Sequence, residues 1–427
     1  MNLLIIGNGF DLAHDLPTQY KDFLKFVNLA NAILDDDLDT IKNMETSDGY
    51  DDKEIKKTKD FKEFINSLRD KKNFKYIKEL HKLSIDNLWI NYFTKYLSDN
   101  KLSLNKNWID FETEISNFVK RLESLSKSKQ VYLIEHYDKA INNDVPRFEA
   151  PSSDIVYLEN LVPNITKEEY AYPNRESYCL VPIDFFEDLK EKLIEDLKNL
   201  IRSLEIYLSL YINNLDTDLR IPEISNIRYN IDHVLSFNYT NTFERLYAKS
   251  NVEYDYIHGK AILDNDADSC QLILGIDEYL DENERNENIE FIQYKKYFQR
   301  IYKRTGRKYK DWLKKIDNYN RTSGHYHGKD NINIYILGHS LDITDKDILK
   351  DLIMYNKKDN PKKEITSVKV TIFDHNQKAT ASHIANLVRV ITQDELIDSV
   401  YSKDKNDPRI VFKPQSPSIN INDTEDQ

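Results

Sequence analysis

Glycine and cysteine are both scarce in this chain of 427 residues. The chain contains 9 glycines, whereas average usage is about 7%. A chain with so little glycine keeps it mainly where the backbone conformation or a close approach requires it. The two cysteines, Cys179 and Cys270, are too few for a disulfide framework. Their scarcity fits a reducing compartment, and we expect a cytoplasmic protein.

The chain also lacks long apolar runs and an excess of positive charge. No segment approaches the roughly 18 consecutive apolar residues of a membrane span. The first apolar run has no basic region before it and ends at Gly7, so no signal peptide is predicted. The net charge of −13 disfavours general nucleic-acid binding, which needs clustered lysine and arginine. We therefore expect neither a membrane nor a nucleic acid as a partner.

The opening residues predict a nucleotide-binding turn. Residues 3–6 form a short apolar run, as in a buried parallel strand, and Gly7 and Gly9 follow directly. A glycine-rich turn between a strand and a helix can present backbone N–H groups to phosphate. The third glycine of the dinucleotide-binding pattern is missing, because Leu12 and Ala13 stand there instead. A tight turn without a ligand is the alternative interpretation.

The pattern of the remaining chain predicts a domain split by an insertion. Residues 1–30 predict strand, loop and helix, and residues 228–410 alternate strands with helices. Residues 31–227 are mainly helical in pattern, and residues 411–427 are polar enough to predict a disordered tail. The expected fold is therefore α/β: a Rossmann-like, sirtuin-like parallel sheet with a large, mainly helical insertion.

Three local expectations accompany this division. Residues 42–60 are polar and charged, which predicts a mobile loop. Residues 272–274 are a short strand candidate. Apolar residues spaced by three and four from Phe186 to Tyr211 predict a long helix with one buried face. That face would pack in the core or against a second subunit of a homo-oligomer.

Polar motifs follow several predicted strands, which is where open α/β sheets bind ligands. Three of these motifs place a scarce glycine beside a polar residue. Each also has a structural interpretation: Asn238 or Thr240 could cap the next helix, and His258 could be a half-buried histidine with satisfied hydrogen bonds. The motifs are residues 236–241, 256–259, 274–277 and 338–342, with Asp345 after the last.

In their order along the chain, these motifs resemble those of the AbiH family of bacterial phage abortive-infection proteins. The opening residues 4–14 (LIIGNGFDLAH) carry the most specific part of the resemblance. Residues 108–112 (WIDFE) resemble the family's central acidic motif. Residues 236–240, 257–259, 274–277 and 338–341 with Asp345 resemble its C-terminal motifs. The resemblance implies a role in phage defence, with a phage-derived trigger as a candidate partner.

The same series is similar, more distantly, to sirtuin-like NAD-binding domains. That resemblance implies that a glycine turn holds phosphates, that an asparagine contacts the nicotinamide ribose and water, and that a histidine acts as base. The matching positions are Gly7, Gly9, Asn238, His258, Gly338 and Ser340. One departure is Thr240, which stands where such domains usually carry aspartate. The paired-cysteine zinc module of deacetylating sirtuins is absent from the sequence, which argues against protein deacetylation.

Cleavage of the nicotinamide–ribose bond needs few groups. An amide can orient a water, and a histidine with a pKa of about 6.5 can take its proton near neutral pH. A carboxylate near the ribose can stabilise positive charge, for which Asp11 is the first candidate and Asp277 and Asp342 are alternates. We therefore predict Asn238, His258 and Asp11 as catalytic residues and NAD as ligand or substrate, with no metal. The predicted nucleotide contacts are Gly7, Asn8, Gly9, Phe10, Ser236, Thr240, Gly259, Gly275, Asp277, Gly338, Ser340 and Asp342.

Two alternative functions stay open at this point. The protein could be a nucleotide sensor without turnover that acts on a partner through its helical region. It could also be a nuclease that holds a metal with Asp110, Glu112 and Asp11. For Asp110 and Glu112, a helix start with acids in its first turn is an equally good interpretation. The role of Trp108 beside them is open.

Overall fold

A computed structural model describes most of the chain. Its described residues are 1–46, 52–99, 110–135, 147–161, 178–247, 251–280, 284, 286–322, 331–355, 366–401 and 408–424. The chain forms two compact units: the first comprises Met1–Thr18, Leu208–Ala261 and Arg300–Gln427, and the second comprises Gln19–Tyr207 and Ile262–Gln299. Within the described ranges, no helix is both long enough and apolar enough to cross a membrane.

The first unit contains a six-stranded parallel sheet. Numbered along the chain, its strands stand in the order β3-β2-β1-β4-β5-β6, and every neighbouring pair is parallel. Ile6 at the end of β1 lies opposite Ser236 and Leu337 at the ends of its two neighbours. The strands are β1 (Asn2–Ile6), β2 (His233–Ser236), β3 (Glu253–Tyr256), β4 (Ile332–Leu337), β5 (Val368–Asp374) and β6 (Ile410–Pro414).

Both faces of this sheet are covered by apolar side chains. Successive residues of a strand point to opposite faces. Accordingly, Leu3 and Ile5 of β1 belong to one buried cluster, and Leu4 and Ile6 belong to another. This burial on two sides explains the continuous apolar run at the start of the sequence. The helices of the unit are Asn8–Leu12, Pro222–Ile227, Thr242–Tyr247, Lys308–Thr322, Lys346–Ile353, Gln377–Ile391 and Gln393–Val400.

Short elements complete the first unit. A two-stranded antiparallel ladder joins Leu219–Arg220 to Ile419–Asn420. The single-turn 3-10 helices are Ile212–Asn214, Arg228–Asn230, Ile343–Asp345 and Ile421–Thr424.

The second unit is mainly helical in its described part. Its longest apolar stripe lies on Ile183–Ile206, which continues as a π-helix over Tyr207–Tyr211. All eight apolar residues predicted for this stripe are buried, so the predicted helix with a buried face is confirmed. The helices are Tyr20–Leu34, Leu38–Thr46, Asp52–Ser67, Phe74–Ser84, Leu88–Asp99, Phe111–Glu135, Ser152–Leu158 and Ile183–Ile206, with Lys296–Lys303 crossing the boundary of the units. Arg147–Pro151 pairs antiparallel with Tyr178–Pro182, and Ile292–Tyr294 is a 3-10 turn.

Three sequence predictions are wrong. The disordered tail is ordered up to residue 424, because Ile410–Pro414 pairs with β5 at the sheet edge. The loop predicted for residues 42–60 is helical where it is described, because Phe61 and Ile65 bury one face and Lys57 forms ion pairs. Residues 272–274 form no strand, although all three are buried.

The compact units also differ from the predicted domains in the assignment of a segment that contains two predicted site residues, Gly275 and Asp277. Residues 262–299 belong to the second unit, whereas the predicted nucleotide-binding domain contained them.

Candidate functional site

The loops that follow β1 and β4 are locked together through glycine. Gly9 donates its N–H to the carbonyl of Gly338 at 2.8 Å, and Phe10 donates to the carbonyl of Gly7 at 2.8 Å. A Cβ on Gly9 would lie 2.9 Å from the Cα of Gly338. Close packing therefore explains why residue 9 is glycine. The N–H groups of Gly9 and Phe10 already have protein acceptors.

We predict that Gly338→Ala destabilises the first unit. Gly338 has a φ of +68°, and a Cβ there would lie 2.1 Å from the nitrogen of Phe10. The clash and the left-handed backbone together should lower the free energy of unfolding by about 3 kcal/mol or more. Urea denaturation measures the change, and Ser340→Ala at an exposed position nearby is the control. Equal stability of the two variants would contradict this packing.

Asn238, which follows β2, is held against the turn after β1. Its side-chain amide donates from Nδ2 to the carbonyl of Gly7 at 2.9 Å. Ser236 hydrogen-bonds both the N–H and the carbonyl of Asn238, which fixes the backbone there. The residue is buried, and its amide oxygen is the group that could accept from a water.

Asp11 and Thr240 form a buried polar pair although they are far apart in sequence. The Thr240 hydroxyl donates to Oδ2 of Asp11 at 2.6 Å, and Thr242 donates to the Thr240 hydroxyl at 3.2 Å. Asp11 is only 1% exposed. Burial raises the pKa of Asp11 to about 6, and the hydrogen bond from Thr240 opposes that rise. The carboxyl group is therefore poised to change protonation close to neutral pH.

Several buried polar atoms of Asp11 and of the segment that follows Thr240 have no hydrogen-bond partner among the described residues. They include Oδ1 of Asp11, Oδ1 of Asn241, and Nε and Nη2 of Arg245. The other guanidinium nitrogen of Arg245 donates to the carbonyl of Asn213 at 2.8 Å. Burial lowers the pKa of Arg245, and the negative charges of Asp216 and, to a smaller extent, Asp11 oppose that shift. Such unsatisfied buried groups are rare and indicate a place for water or a polar ligand.

His258, which follows β3, shares a carboxylate with a second histidine. Its Nε2 lies 3.2 Å from Oδ1 of Asp345, and Nε2 of His339 lies 3.4 Å from Oδ2 of the same side chain. Leu341 donates its N–H to Nδ1 of His339 at 2.9 Å. All three side chains are buried, and the ring of Phe237 packs against both imidazoles. Loops from β2, β3 and β4 thus build one polar cluster.

Three other residues of the first unit that we predicted to contact the nucleotide make local contacts within the protein. Phe10 is buried among the rings of the core, and Asn8 accepts from the Thr18 hydroxyl at 2.7 Å. Asp342 caps the turn that contains Asp345, because its carboxylate accepts from the N–H of Thr344 at 3.0 Å.

Two more predicted nucleotide contacts of the first unit are Gly259 and Ser340. Gly259 has a φ of +82° and donates its N–H to the carbonyl of Tyr256 at 3.1 Å. Ser340 is exposed, and its carbonyl accepts from the Asn386 amide at 2.9 Å. For all five residues of these two paragraphs, a ligand contact stays a prediction.

Gly275 and Asp277 belong to the second unit, whereas the residues of this cluster belong to the first. A Cβ on Gly275 would lie 2.5 Å from the carbonyl oxygen of Tyr294, so its glycine is explained by local packing. Their predicted contact with a nucleotide stays a prediction.

The acidic motif of the second unit is engaged in local contacts. The carboxylate of Asp110 accepts from the N–H of Glu112 at 3.0 Å and from the Thr113 hydroxyl at 2.7 Å, as expected at a helix start. Glu112 forms an ion pair with Lys296 at 2.7 Å. In the described ranges, no three histidine, cysteine or acidic side chains come together as a metal site would require. Trp108 lies outside the described residues.

His14 had no predicted role, and the structure places it in a buried hydrogen-bond network. A carbonyl can only accept, so Nδ1 of His14 donates to Phe10 at 2.7 Å and Nε2 accepts from the Tyr247 hydroxyl at 2.7 Å. The oxygen of Tyr247 in turn accepts the N–H of Ile221 at 2.8 Å. Burial lowers the pKa of His14 to about 4, so the ring is neutral at pH 7.

We predict that Tyr247→Phe destabilises the first unit. The change leaves Nε2 of His14 and the N–H of Ile221 without this hydroxyl in a buried place. Unsatisfied buried groups of this kind should lower the free energy of unfolding by about 2–4 kcal/mol. Tyr401→Phe, at a side chain that is 79% exposed, is the control and should change little. Equal urea midpoints for the two variants would show that the network contributes nothing.

His339 and Asp345 are the residues of the cluster that sequence reasoning left without a role. Both stand in the motif after β4, next to glycine and serine residues that the resemblance did assign. Their signal was a histidine and an acid at a strand end, but their pairing with His258 is visible only in three dimensions.

Comparisons with known proteins give one match. Searches of curated proteins and of solved structures found nothing similar. A family model described as bacteriophage abortive infection AbiH matches residues 3–366, which include the loops after β1, β2, β3 and β4. The chain belongs to the AbiH family of bacteriophage abortive-infection proteins.

Proposed function

We propose that the first unit binds NAD or a related nucleotide at the carboxyl edge of its sheet and hydrolyses it to nicotinamide and ADP-ribose. The role of the AbiH family in phage abortive infection gives this reaction a purpose, because loss of NAD would stop an infected cell. The proposal makes NAD a substrate and assigns no metal.

The order of the strands supports a Rossmann-like, sirtuin-like fold in this proposal. Counted along the chain, the order 3-2-1-4-5-6 is that of doubly wound dinucleotide-binding sheets. Such sheets bind ligands outside the carboxyl ends of the strands, at the point where the strand order reverses. Here that point lies between β1 and β4, next to the glycine contacts described above.

The observation that carries the proposal is the environment of Asp11. Its carboxyl group is buried, has a pKa of about 6, and keeps one oxygen without a partner among the described residues. Titratable groups with strongly shifted pKa values cluster at functional sites, so this environment supports a functional role for Asp11. In the sirtuin-like resemblance, Thr240 replaces an aspartate. Asp11 supplies a carboxylate to that same hydroxyl, so the missing acid would come from the neighbouring loop.

The chemistry would then use three side chains from three strand ends. The amide oxygen of Asn238 would orient a water, and His258 would accept its proton as the oxygen bonds to the ribose C1′. The bond from C1′ to nicotinamide breaks, and its electron pair neutralises the pyridinium nitrogen. Asp11 would stabilise the positive charge that develops on the ribose ring.

Phosphate binding in this proposal rests more on Arg245 than on the glycine turn. The N–H groups of Gly9 and Phe10 have protein acceptors. In contrast, Nε and Nη2 of Arg245 form one edge of the guanidinium and have no partner among the described residues. That edge matches the two-oxygen geometry of a phosphate.

Incubation of the purified protein with NAD tests the proposal. Nicotinamide and ADP-ribose should appear in equal amounts in the presence of a metal chelator, with a phage lysate added in one arm as a source of trigger. Binding of NAD without products in either arm would favour the nucleotide sensor. Cleavage of nucleic acid that the chelator abolishes would favour the nuclease, although Asp110 and Glu112 are engaged elsewhere.

A further inference from the structure

Residues 300–322 of the first unit carry a local excess of positive charge. They include nine lysine and arginine residues and two aspartates, whereas the whole chain has a net charge of −13. Beyond the Debye length, about 8 Å at physiological ionic strength, exposed charges are largely screened. A bound phosphate therefore responds to the charges nearest to it, and the net charge of the chain does not decide what this segment binds.

Helix Lys308–Thr322 turns basic side chains away from the sheet. Its apolar side chains, such as Trp312, are buried in the core of the first unit. Residues spaced by three, four or seven share one face of a helix. Lys310, Lys314 and Arg321 have this spacing and are exposed. Because a helix rises 1.5 Å per residue, the three cations extend over about 16 Å of the outer surface.

The loop before this helix exposes two more arginines, Arg304 and Arg307. The backbone of the loop is packed closely, since a Cβ on Gly306 would lie 2.9 Å from the carbonyl oxygen of Ile257. Arg304 has a φ of +56°, a left-handed conformation that is unfavourable for arginine. Strained backbone of this kind persists where the surrounding structure requires it, often at functional sites.

These cations have few anionic partners within the protein. Arg304, Arg307 and Lys314 form no ion pair with any residue that the structure describes. Lys310 lies 3.5 Å from Asp351, and both side chains are exposed. Exposed pairs of this kind contribute little to stability. A polyanion can therefore take up these charges without breaking a strong internal contact.

Aromatic side chains in the same segment indicate a nucleic acid as the polyanion. Tyr302 and Tyr319 are 75% and 41% exposed. Unpaired bases stack on exposed aromatic rings, and cations beside the rings contact the phosphates of a single strand. A helix that lies on a membrane inserts its apolar face into the lipid. The apolar face of helix Lys308–Thr322 is already buried in protein.

We propose that Arg304, Arg307, Lys310, Lys314 and Arg321 form a basic surface that binds single-stranded nucleic acid. The five cations contact phosphates, and the two exposed tyrosines stack on bases. The binding is independent of the sequence of the strand, because the contacts are to the backbone and to the faces of the bases. This function is separate from the hydrolysis of NAD.

The chain offers a matched control for the basic surface. Helix Gln377–Ile391 has 15 residues, as does the basic helix, and it exposes Lys378 and Arg389. The double variant Arg307→Gln with Lys314→Gln removes two charges from the basic surface. The double variant Lys378→Gln with Arg389→Gln removes the same two charges elsewhere in the first unit. All four side chains are exposed, so both variants should keep the melting temperature of the wild type.

Fluorescence anisotropy with a labelled oligothymidine of about 16 nucleotides tests the proposal without NAD. The logarithm of the association constant should fall linearly with the logarithm of the salt concentration, with a slope of about −3.5 for five contacts to a single strand. The variant of the basic surface should reduce that slope to about −2 and weaken binding about tenfold or more at low salt. The control variant should bind like the wild type.

Three results would overturn the proposal. One is no binding of the oligothymidine at about 50 mM salt, where phosphate contacts are strong. The second is equal weakening by the two double variants at unchanged melting temperatures, which would mean that no particular surface is involved. The third is tighter binding to a DNA duplex of the same length, or to vesicles that contain phosphatidylserine, than to the single strand.

Discussion

His258→Ala should abolish nicotinamide release and leave nucleotide binding intact. The imidazole is needed mainly as the water loses its proton in the transition state, so its removal affects kcat rather than binding. A general base contributes about 10²- to 10⁴-fold to the rate. Chromatography of nicotinamide measures the rate, and calorimetric titration with ADP-ribose measures the binding.

Two further variants sharpen this prediction. Asn238→Ala should lose activity to a similar degree, with little further loss in the double variant, because residues that act as a unit are not additive. Its melting temperature needs to be measured as well, since Asn238 also holds the carbonyl of Gly7. His383→Ala, at another buried histidine paired with an aspartate, should retain activity. Full activity of His258→Ala would remove this residue from the mechanism.

Asp11→Asn should inactivate the protein and stabilise it at neutral pH. The folded-state pKa of Asp11 is about 6, above the ordinary value of 3.8. Between these two values the native state binds a proton that the unfolded chain has released, so this group lowers stability as the pH rises. Above pH 6 the penalty amounts to about 3 kcal/mol, and asparagine removes it.

The pH dependence gives this prediction its control. Asp11→Asn should raise the melting temperature at pH 7 and change it little at pH 4, where the folded protein already carries a neutral carboxyl group. Asp15→Asn, at an exposed residue four positions further along the chain, is the control and should leave the melting temperature at pH 7 unchanged. Lower stability of Asp11→Asn at pH 7 would contradict a net energetic cost of the buried Asp11 charge. Retained turnover would contradict the catalytic role.

The sequence predicts the strands of the sheet well, with the exception of the edge strand β6. β1, β2, β4 and β5 contain apolar or alternating runs that are visible without any structure. β6 stands in a polar, proline-flanked stretch and forms because β5 offers it an open edge. Helix Asp52–Ser67 was not predicted for a similar reason. Its sequence is mostly charged, and the helix is stabilised by the burial of Phe61 and Ile65 and by the ion pair of Lys57 with Asp22.

The candidate site was predictable as a set of strand-end motifs and not as a set of contacts. The common edge of parallel strands brings Asp11, Asn238 and His258 into the same unit, as their motifs indicated. The hydrogen bond from Thr240 to Asp11 joins residues 229 positions apart. No local pattern reveals such a bond, nor the contact of Gly9 with Gly338, since both depend on which strands become neighbours.

Hydrogen–deuterium exchange of His258→Ala with and without NAD is the most direct test of the proposed site, because it shows which segments the bound nucleotide protects. This variant should bind NAD without consuming it. We expect slower exchange in peptides that cover residues 7–14, 236–247 and 256–261, with the exchange of the second unit largely unchanged. Calorimetric binding of NAD together with protection confined to the second unit, or no protection of these three segments, would contradict it.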